Sequence, residues 1–298
     1  MRVFLTGATG FVGARVADQL LAGGHQVLGL TRSDAGAQSL MAKGVNVYRG
    51  TLEDPDSLRS GAAQADAVIH TAFDHDFSHF VENCEKDRLV IETIGAELKG
   101  SDRPFIITSG TGMGSLLPGA VAMENVFNAN SPNPRVASEL AGQVLQDAGV
   151  NLSVVRLPQV HDTARQGLLT QYIEIARQKG IIAYLGDGAN CFAAAHVLDV
   201  ALLYRLALEK GEVGARYHAV GEEGISVRRI AETLSAALDL PMMSLPPERA
   251  ESHFGWLGMF VGMDLPASSI TTRERLNWQP VGPGLIEDME QVAMTRNN

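Results

Sequence analysis

The chain has 298 residues, 45% of them hydrophobic and 31 of them glycine, with a formal net charge of −10. That length carries a sizeable core and allows one large or two small domains. An acidic surface repels phosphate backbones and anionic lipid, so nucleic acid and membrane surfaces are excluded as expected partners.

Along the first half, short apolar runs alternate with amphipathic stretches. Residues 3–6 predict a strand and 11–22 a helix, with Val12, Val16, Leu20 and Leu21 on one face and Gly23-Gly24 ending it. Then come strand 26–30, helix 33–43, strand 45–49, helix 55–62, strand 67–71, a long helix 80–99, strand 104–109, helix 135–148 and strand 152–157. Strands alternating with helices imply right-handed crossovers and a parallel sheet, that is, an α/β Rossmann doubly wound fold. The second half is less regular. Helices are expected at 168–179, 197–209 and 226–238 and a strand at 217–220, while 241–266 reads as loop with one or two short helices. No linker separates the halves. The expected division is a dinucleotide-binding domain of residues 1–160, to which 191–222 returns, and a smaller interleaved substrate domain of 161–190 and 223–298.

Cys84 and Cys191 stand outside any CxxC or metal-ligand spacing, which suggests reduced thiols, no disulfide framework and no metal site. The N-terminus shows no signal peptide, and no stretch approaches the roughly 20 apolar residues that span a bilayer. A soluble, cytoplasmic protein is expected.

The strongest signal is Thr6-Gly7-Ala8-Thr9-Gly10-Phe11-Val12-Gly13, between the first strand and the first helix. Gly7 permits a tight turn, Gly10 lets backbone approach a pyrophosphate, and Gly13 lets helix and strand pack closely. The helix N-terminus offers free N–H groups and partial positive charge to phosphates. A nicotinamide dinucleotide is therefore the expected cofactor. The second strand runs into Thr31-Arg32-Ser33, with no carboxylate before Asp34. Arg32 can pair with a 2′-phosphate and Ser33 can donate to it, which favours NADP(H). A solvated Arg32 with Asp34 reaching back to the ribose would favour NAD(H) instead.

Several later segments join this turn in one pattern. They are Thr51-Leu52-Glu53-Asp54, Val68-Ile69-His70-Thr71-Ala72, Gly186-Asp187-Gly188 through His196-Val197-Leu198-Asp199-Val200-Ala201, and Arg275-Leu276-Asn277-Trp278-Gln279-Pro280. With them the chain resembles the extended branch of the short-chain dehydrogenase/reductase superfamily, which contains nucleotide-sugar epimerases. The resemblance implies a ligand crevice at the carboxyl ends of the strands, lined by Leu52, Thr71, Ala72 and Phe73, and a homodimer through the helices at 80–99 and 135–148.

The sequence departs from that branch where its oxidoreductases carry a Tyr-x-x-x-Lys pair. Arg135 falls at the Tyr place and Glu139 at the Lys place, so the chain is similar to the atypical members. The hydroxyl segment survives as Thr108-Ser109-Gly110-Thr111, leaving Ser109 or Thr111 to orient a carbonyl. Arg135 is a candidate oxyanion or carboxylate clamp, or else a helix cap. His161, after strand 152–157, is a candidate acid or base, or a pocket-shaping loop residue. In Phe73-Asp74-His75-Asp76-Phe77, two flanking carboxylates are expected to raise the His75 pKa and make it a proton donor; a polar loop over the cofactor is the plainer alternative. His196 and Asp199 read as structural. Met242, Met243, Phe254, Trp256, Met259, Phe260 and Met263 form either a substrate-pocket wall or a small-domain core.

Three functions follow. The first is an NADP(H)-dependent oxidoreductase of a small, partly apolar carbonyl or alcohol. The second is a non-redox epimerase, dehydratase or lyase with bound NAD(P). The third is a non-catalytic NAD(P)-sensing regulator.

Overall fold

The computed structural model describes residues 1–292. The Rossmann half runs β1 (Arg2–Thr6), α1 (Phe11–Ala22), β2 (Gln26–Thr31), α2 (Asp34–Ala42), β3 (Asn46–Arg49), α3 (Pro55–Ala63), β4 (Ala67–His70), α4 (Phe80–Leu98), β5 (Phe105–Gly110), α5 (Val136–Asp147) and β6 (Leu152–Leu157). There follow β7 (Gln159–His161), α6 (Leu168–Lys179), β8 (Ile182–Leu185), β9 (Cys191–His196), α7 (Val197–Lys210), β10 (Arg216–His218), β11 (Glu222–Ser226), α8 (Val227–Leu238) and β12 (Met242–Leu245). The chain continues through α9 (Ala250–Phe254), α10 (Gly258–Val261), α11 (Ile270–Leu276) and α12 (Leu285–Glu290). Ser33 and Asp54 cap α2 and α3, which is why these helices start where a polar residue follows an apolar run.

Seven parallel strands form the central sheet in the order β10-β6-β5-β4-β1-β2-β3. Strand side chains alternate between its faces. Val3 and Leu5 pack toward α1 and α7, and Phe4, Val68 and Phe105 pack toward α3, α4 and α5. The order reverses at the β1–β4 pair, and there a crevice opens beyond the carboxyl ends of the strands.

Five short strands escape the sequence pattern: β7, β8, β9, β11 and β12. They build a three-stranded sheet, β11-β9-β7, and a two-stranded one, β12-β8. With three to six residues each, they are too brief for periodicity to separate strand from loop. Beside these sheets lies another core, in which Leu169, Ile173, Ile230, Phe254 and Leu285 meet. The two late motifs join each other across the fold. Trp278 Nε1 donates to Asp199 O at 3.0 Å, and the Asp199 carboxylate accepts from Val281 N and Gly282 N at 3.1 and 2.8 Å.

Among the described residues no helix is long and apolar enough to cross a membrane, and no cluster of histidine, cysteine or carboxylates could hold a metal ion. Cys84 and Cys191 are free thiols.

Candidate functional site

A cavity of about 1250 Å³ follows the crevice. One end is lined by residues 30–33 and 50–53, the middle by the turn after β1, and the other end by the β5 and β6 termini, the segment after β4 and α10. At the turn, Gly7 has φ +71°, and a Cβ there would sit 2.7 Å from Ala72 N. A Cβ on Gly13 would fall 2.1 Å from Gly7 O, so only glycine lets α1 approach the turn. No side chain caps α1 at Gly10. Its first-turn N–H groups are left to a ligand, and an anion is what their partial charge favours. Gly7, Thr9, Gly10, Phe11, Val12 and Gly13 all line the cavity, as do Thr31, Arg32, Ser33, Leu52, Thr71, Ala72 and Phe73.

Thr6 does not line it. Its hydroxyl is fully enclosed, 2.6 Å from His70 Nδ1, and accepts from Ala72 N at 3.3 Å. Thr6 therefore ties the end of β1 to β4 and shapes the turn from behind.

At the ribose end, the exposed Arg32 has no ion pair or side-chain hydrogen bond among the described residues, while Asp34 is held by Arg49 Nη2 at 2.5 Å and lies off the cavity wall. Ser33 Oγ accepts from Gly36 N at 3.1 Å as the cap of α2, so its hydroxyl hydrogen remains for a ligand. A glycine cradle, uncapped amides and an unpaired guanidinium fit a dinucleotide phosphate.

The far end is organised by Arg135, the residue just before α5. Its Nη1 donates to Asp87 Oδ2 at 2.5 Å and Ser138 Oγ at 2.6 Å, its Nη2 donates to Thr108 O at 3.0 Å, and its guanidinium lies 4.1 Å from the Phe73 ring centre. Asp87 also meets His70 Nε2 at 2.9 Å. A buried chain thus runs Thr6–His70–Asp87–Arg135, from the floor of the turn to the cavity wall. Burial pushes the Asp87 pKa up, but the Arg135 charge, with His70 and Ser138, outweighs it and holds the carboxyl at about 2. Arg135 is consequently one half of a neutralised pair that still lines the cavity.

Ser109 and Thr111 also line this end. Thr108 is committed elsewhere, donating to His70 O at 2.7 Å and meeting the buried Tyr204 hydroxyl at 2.6 Å. Ser109 Oγ meets no full hydrogen-bond geometry among the described residues, yet it leans toward Glu139 closely enough to help hold that carboxylate ionised. Glu139 points away from the cavity. It takes Arg156 Nε and Nη2, both at 2.8 Å, and Arg216 Nε at 2.9 Å, with Glu139 and Arg156 fully enclosed. Its pKa stays low because these guanidiniums outweigh burial.

His75 lines the cavity, and Asp74 does favour its charged form as the sequence predicts, but burial and the Arg135 charge outweigh it. Asp74 accepts from Asp76 N and pairs with Lys86 at 3.3 Å, and Asp76 caps the turn at Ser78. The ring keeps an exposed edge within a crowded wall, and that crowding, with the Arg135 charge, lowers its pKa. The His75 pKa is thus lowered rather than raised, the reverse of the expectation. His161 lies off the cavity. It is fully buried, 2.6 Å from Asp288 Oδ2, and burial lowers its pKa despite that partner. In sequence it stands beside the cavity-lining Gln159 and Val160, but its ring is taken up by Asp288 from α12.

An apolar wall completes the far end. Phe77 stacks on Trp256 at 4.6 Å and 7°, and meets Phe260 edge-on at 5.6 Å. Trp256, Phe260 and Met263 line the cavity, Phe254 joins the second core, and Met243 and Met259 face solvent. Both readings of the C-terminal cluster therefore hold for different members of it. Sequence reasoning missed Met113, Gln159, Gln171, Phe192 and Leu265 in the cavity wall. Gln171 lies on the expected helix α6, where the sequence does not show which face meets a cavity, and the others sit on short strands, a short turn or loops without a periodic signal.

A family model described as NAD(P)H-binding matches residues 7–180. An uncharacterised protein of Schizosaccharomyces pombe is 45% identical over 294 residues, 98% of this chain and 99% of the relative. The structure of UDP-glucose 4-epimerase from Thermus thermophilus, complexed with NAD, matches with a TM-score of 0.76 at 21% identity, covering 99% of this chain and 98% of that one. A human epimerase family protein with NADPH matches with a TM-score of 0.75 at 19% identity, covering 99% of both chains.

Proposed function

Because this chain belongs to the NAD(P)H-binding family, we propose that it is an NADP(H)-dependent oxidoreductase of a small carbonyl or alcohol with an apolar body. The observation that carries this reading is the continuity of one cavity from the unpaired Arg32 to the aromatic wall at Phe77, Trp256 and Phe260. The bound dinucleotide supplies or accepts the hydride. Arg32 and Ser33 hold the 2′-phosphate, a reading supported by the place of Asp34 off the cavity wall and beside Arg49. Thr111, with the cavity edge of Arg135, orients the substrate oxygen, and Ser109 supports that wall. His75 takes the proton in alcohol oxidation and returns it in reduction. Phe77, Trp256 and Phe260 pack on the substrate body and exclude water. Exposed Val81 and Leu89 on α4, and Val144 on α5, support a homodimer through these helices.

The test is loss of NADPH absorbance across a panel of aromatic and aliphatic carbonyl compounds. Substrate-dependent oxidation is expected, with kcat lowered about 100-fold or more in His75→Gln. Tight NADPH binding with no turnover on any panel member would overturn the oxidoreductase reading in favour of a sensor or a non-redox enzyme.

A further inference from the structure

Among the described residues three cations line the cavity: Arg32, Arg135 and Arg165. Arg32 stands at the ribose end, and Arg135 is neutralised by Asp87. The dinucleotide diphosphate would sit between them, on a protein whose formal net charge is −10. Arg165 is placed to add a cation to the α1 amides there. Its guanidinium lies 6.0 Å from the ring centre of Phe11, the residue that opens α1 directly after Gly10. It is exposed and has no carboxylate partner among the described residues.

The backbone that presents Arg165 is held in place. Asp162 N donates to Arg165 O at 2.8 Å, and Asp162 Oδ1 accepts from Ala164 N and Arg165 N, each at 2.8 Å. Gln166 Nε2 donates to Asp162 O at 2.9 Å. The other Asp162 oxygen faces Arg15 Nη2 at 3.9 Å, one helical turn beyond Phe11. The segment after β7 is therefore a small closed loop, moored to α1, with a free guanidinium at its tip. A guanidinium is permanently charged, and its planar fork of donors matches phosphate oxygens.

We propose that Arg165 clamps the diphosphate of the bound dinucleotide from the rim opposite the glycine turn. The clamp rests on the cofactor reading above. It makes retention of the cofactor depend on a loop outside the phosphate-binding motif.

Calorimetric titration of NADPH and of NADH into the unchanged protein, Arg165→Ala, Arg165→Lys and Arg32→Ala tests it. Arg165→Ala is expected to weaken both dinucleotides by the same factor, about tenfold or more. Arg165→Lys should recover part of that loss, which a purely structural role would not allow. Arg32→Ala should weaken NADPH selectively. The clamp is overturned if Arg165→Ala binds both dinucleotides within about twofold of the unchanged protein, or weakens only one. If the unchanged protein itself binds neither, the cofactor reading falls and takes the clamp with it, a result distinct from an inert Arg165.

Discussion

The two ends of the cavity are built by different means. The turn end is made of backbone: consecutive residues 7–13 set glycines and amides around a phosphate position, and few side chains matter. The α5 end is made of side chains brought from β4, α4, β5, α5 and α10, with charges matched in pairs. Arg135 meets Asp87 at the wall, and Arg156 meets Glu139 behind it. A local motif can build the first end by itself. The second exists only when distant segments arrive together, and its charges are costly if any partner is missing.

The sharpest way to break this contrast is at the buried pair. Glu139→Gln leaves Arg156 enclosed without its counter-charge and should lower unfolding stability by about 3–5 kcal/mol in a urea titration. An unchanged midpoint would mean that the α5 end tolerates loss of a partner, and the contrast would fail. Gly7→Val acts on the other end. It forces a β-branched residue to φ +71°, at a strain on the order of 1–3 kcal/mol. It should abolish NADPH retention in a copurification or calorimetry assay. Retention at the original affinity would show that the turn does not grip the phosphates.

Arg32→Ala sharpens the reading of the ribose end. Loss of a charge-assisted bond, about 1.5–3 kcal/mol, should cut NADPH affinity and leave NADH affinity nearly unchanged. Equal losses for the two would reassign Arg32.

The most gradual effect is a pH slope. His218 contacts Arg156 Nη1 at 3.1 Å, and burial, then the Arg156 charge, lowers its pKa to about 4. An unfolded histidine titrates near 6.5, so between those values the unfolded chain binds more protons and stability falls as pH drops. The slope from this one group is at most about 1.4 kcal/mol per pH unit. Replacing it, as His218→Gln, should flatten the curve from pH 6.5 to 4. A variant with the parental slope would place the titration on another group.

The sequence by itself determined the Rossmann order of elements, the glycine turn and the candidate cofactor wall from Gly7 to Phe73, because each depends on neighbours along the chain: a helix start, a strand end, a capping residue. Even there its reach ended at side-chain direction, since nothing local shows that Thr6 faces His70 rather than a ligand. Tertiary structure alone decided that burial and Arg135 outweigh Asp74 at His75, that His161 is enclosed against Asp288, and that Arg135 and Glu139 find opposite partners in Asp87 and Arg156. The physical reason is that an ionisable group takes its character from whatever charge and burial surround it. For Glu139, Arg135 and His161 the decisive partners lie 17 to 127 positions away.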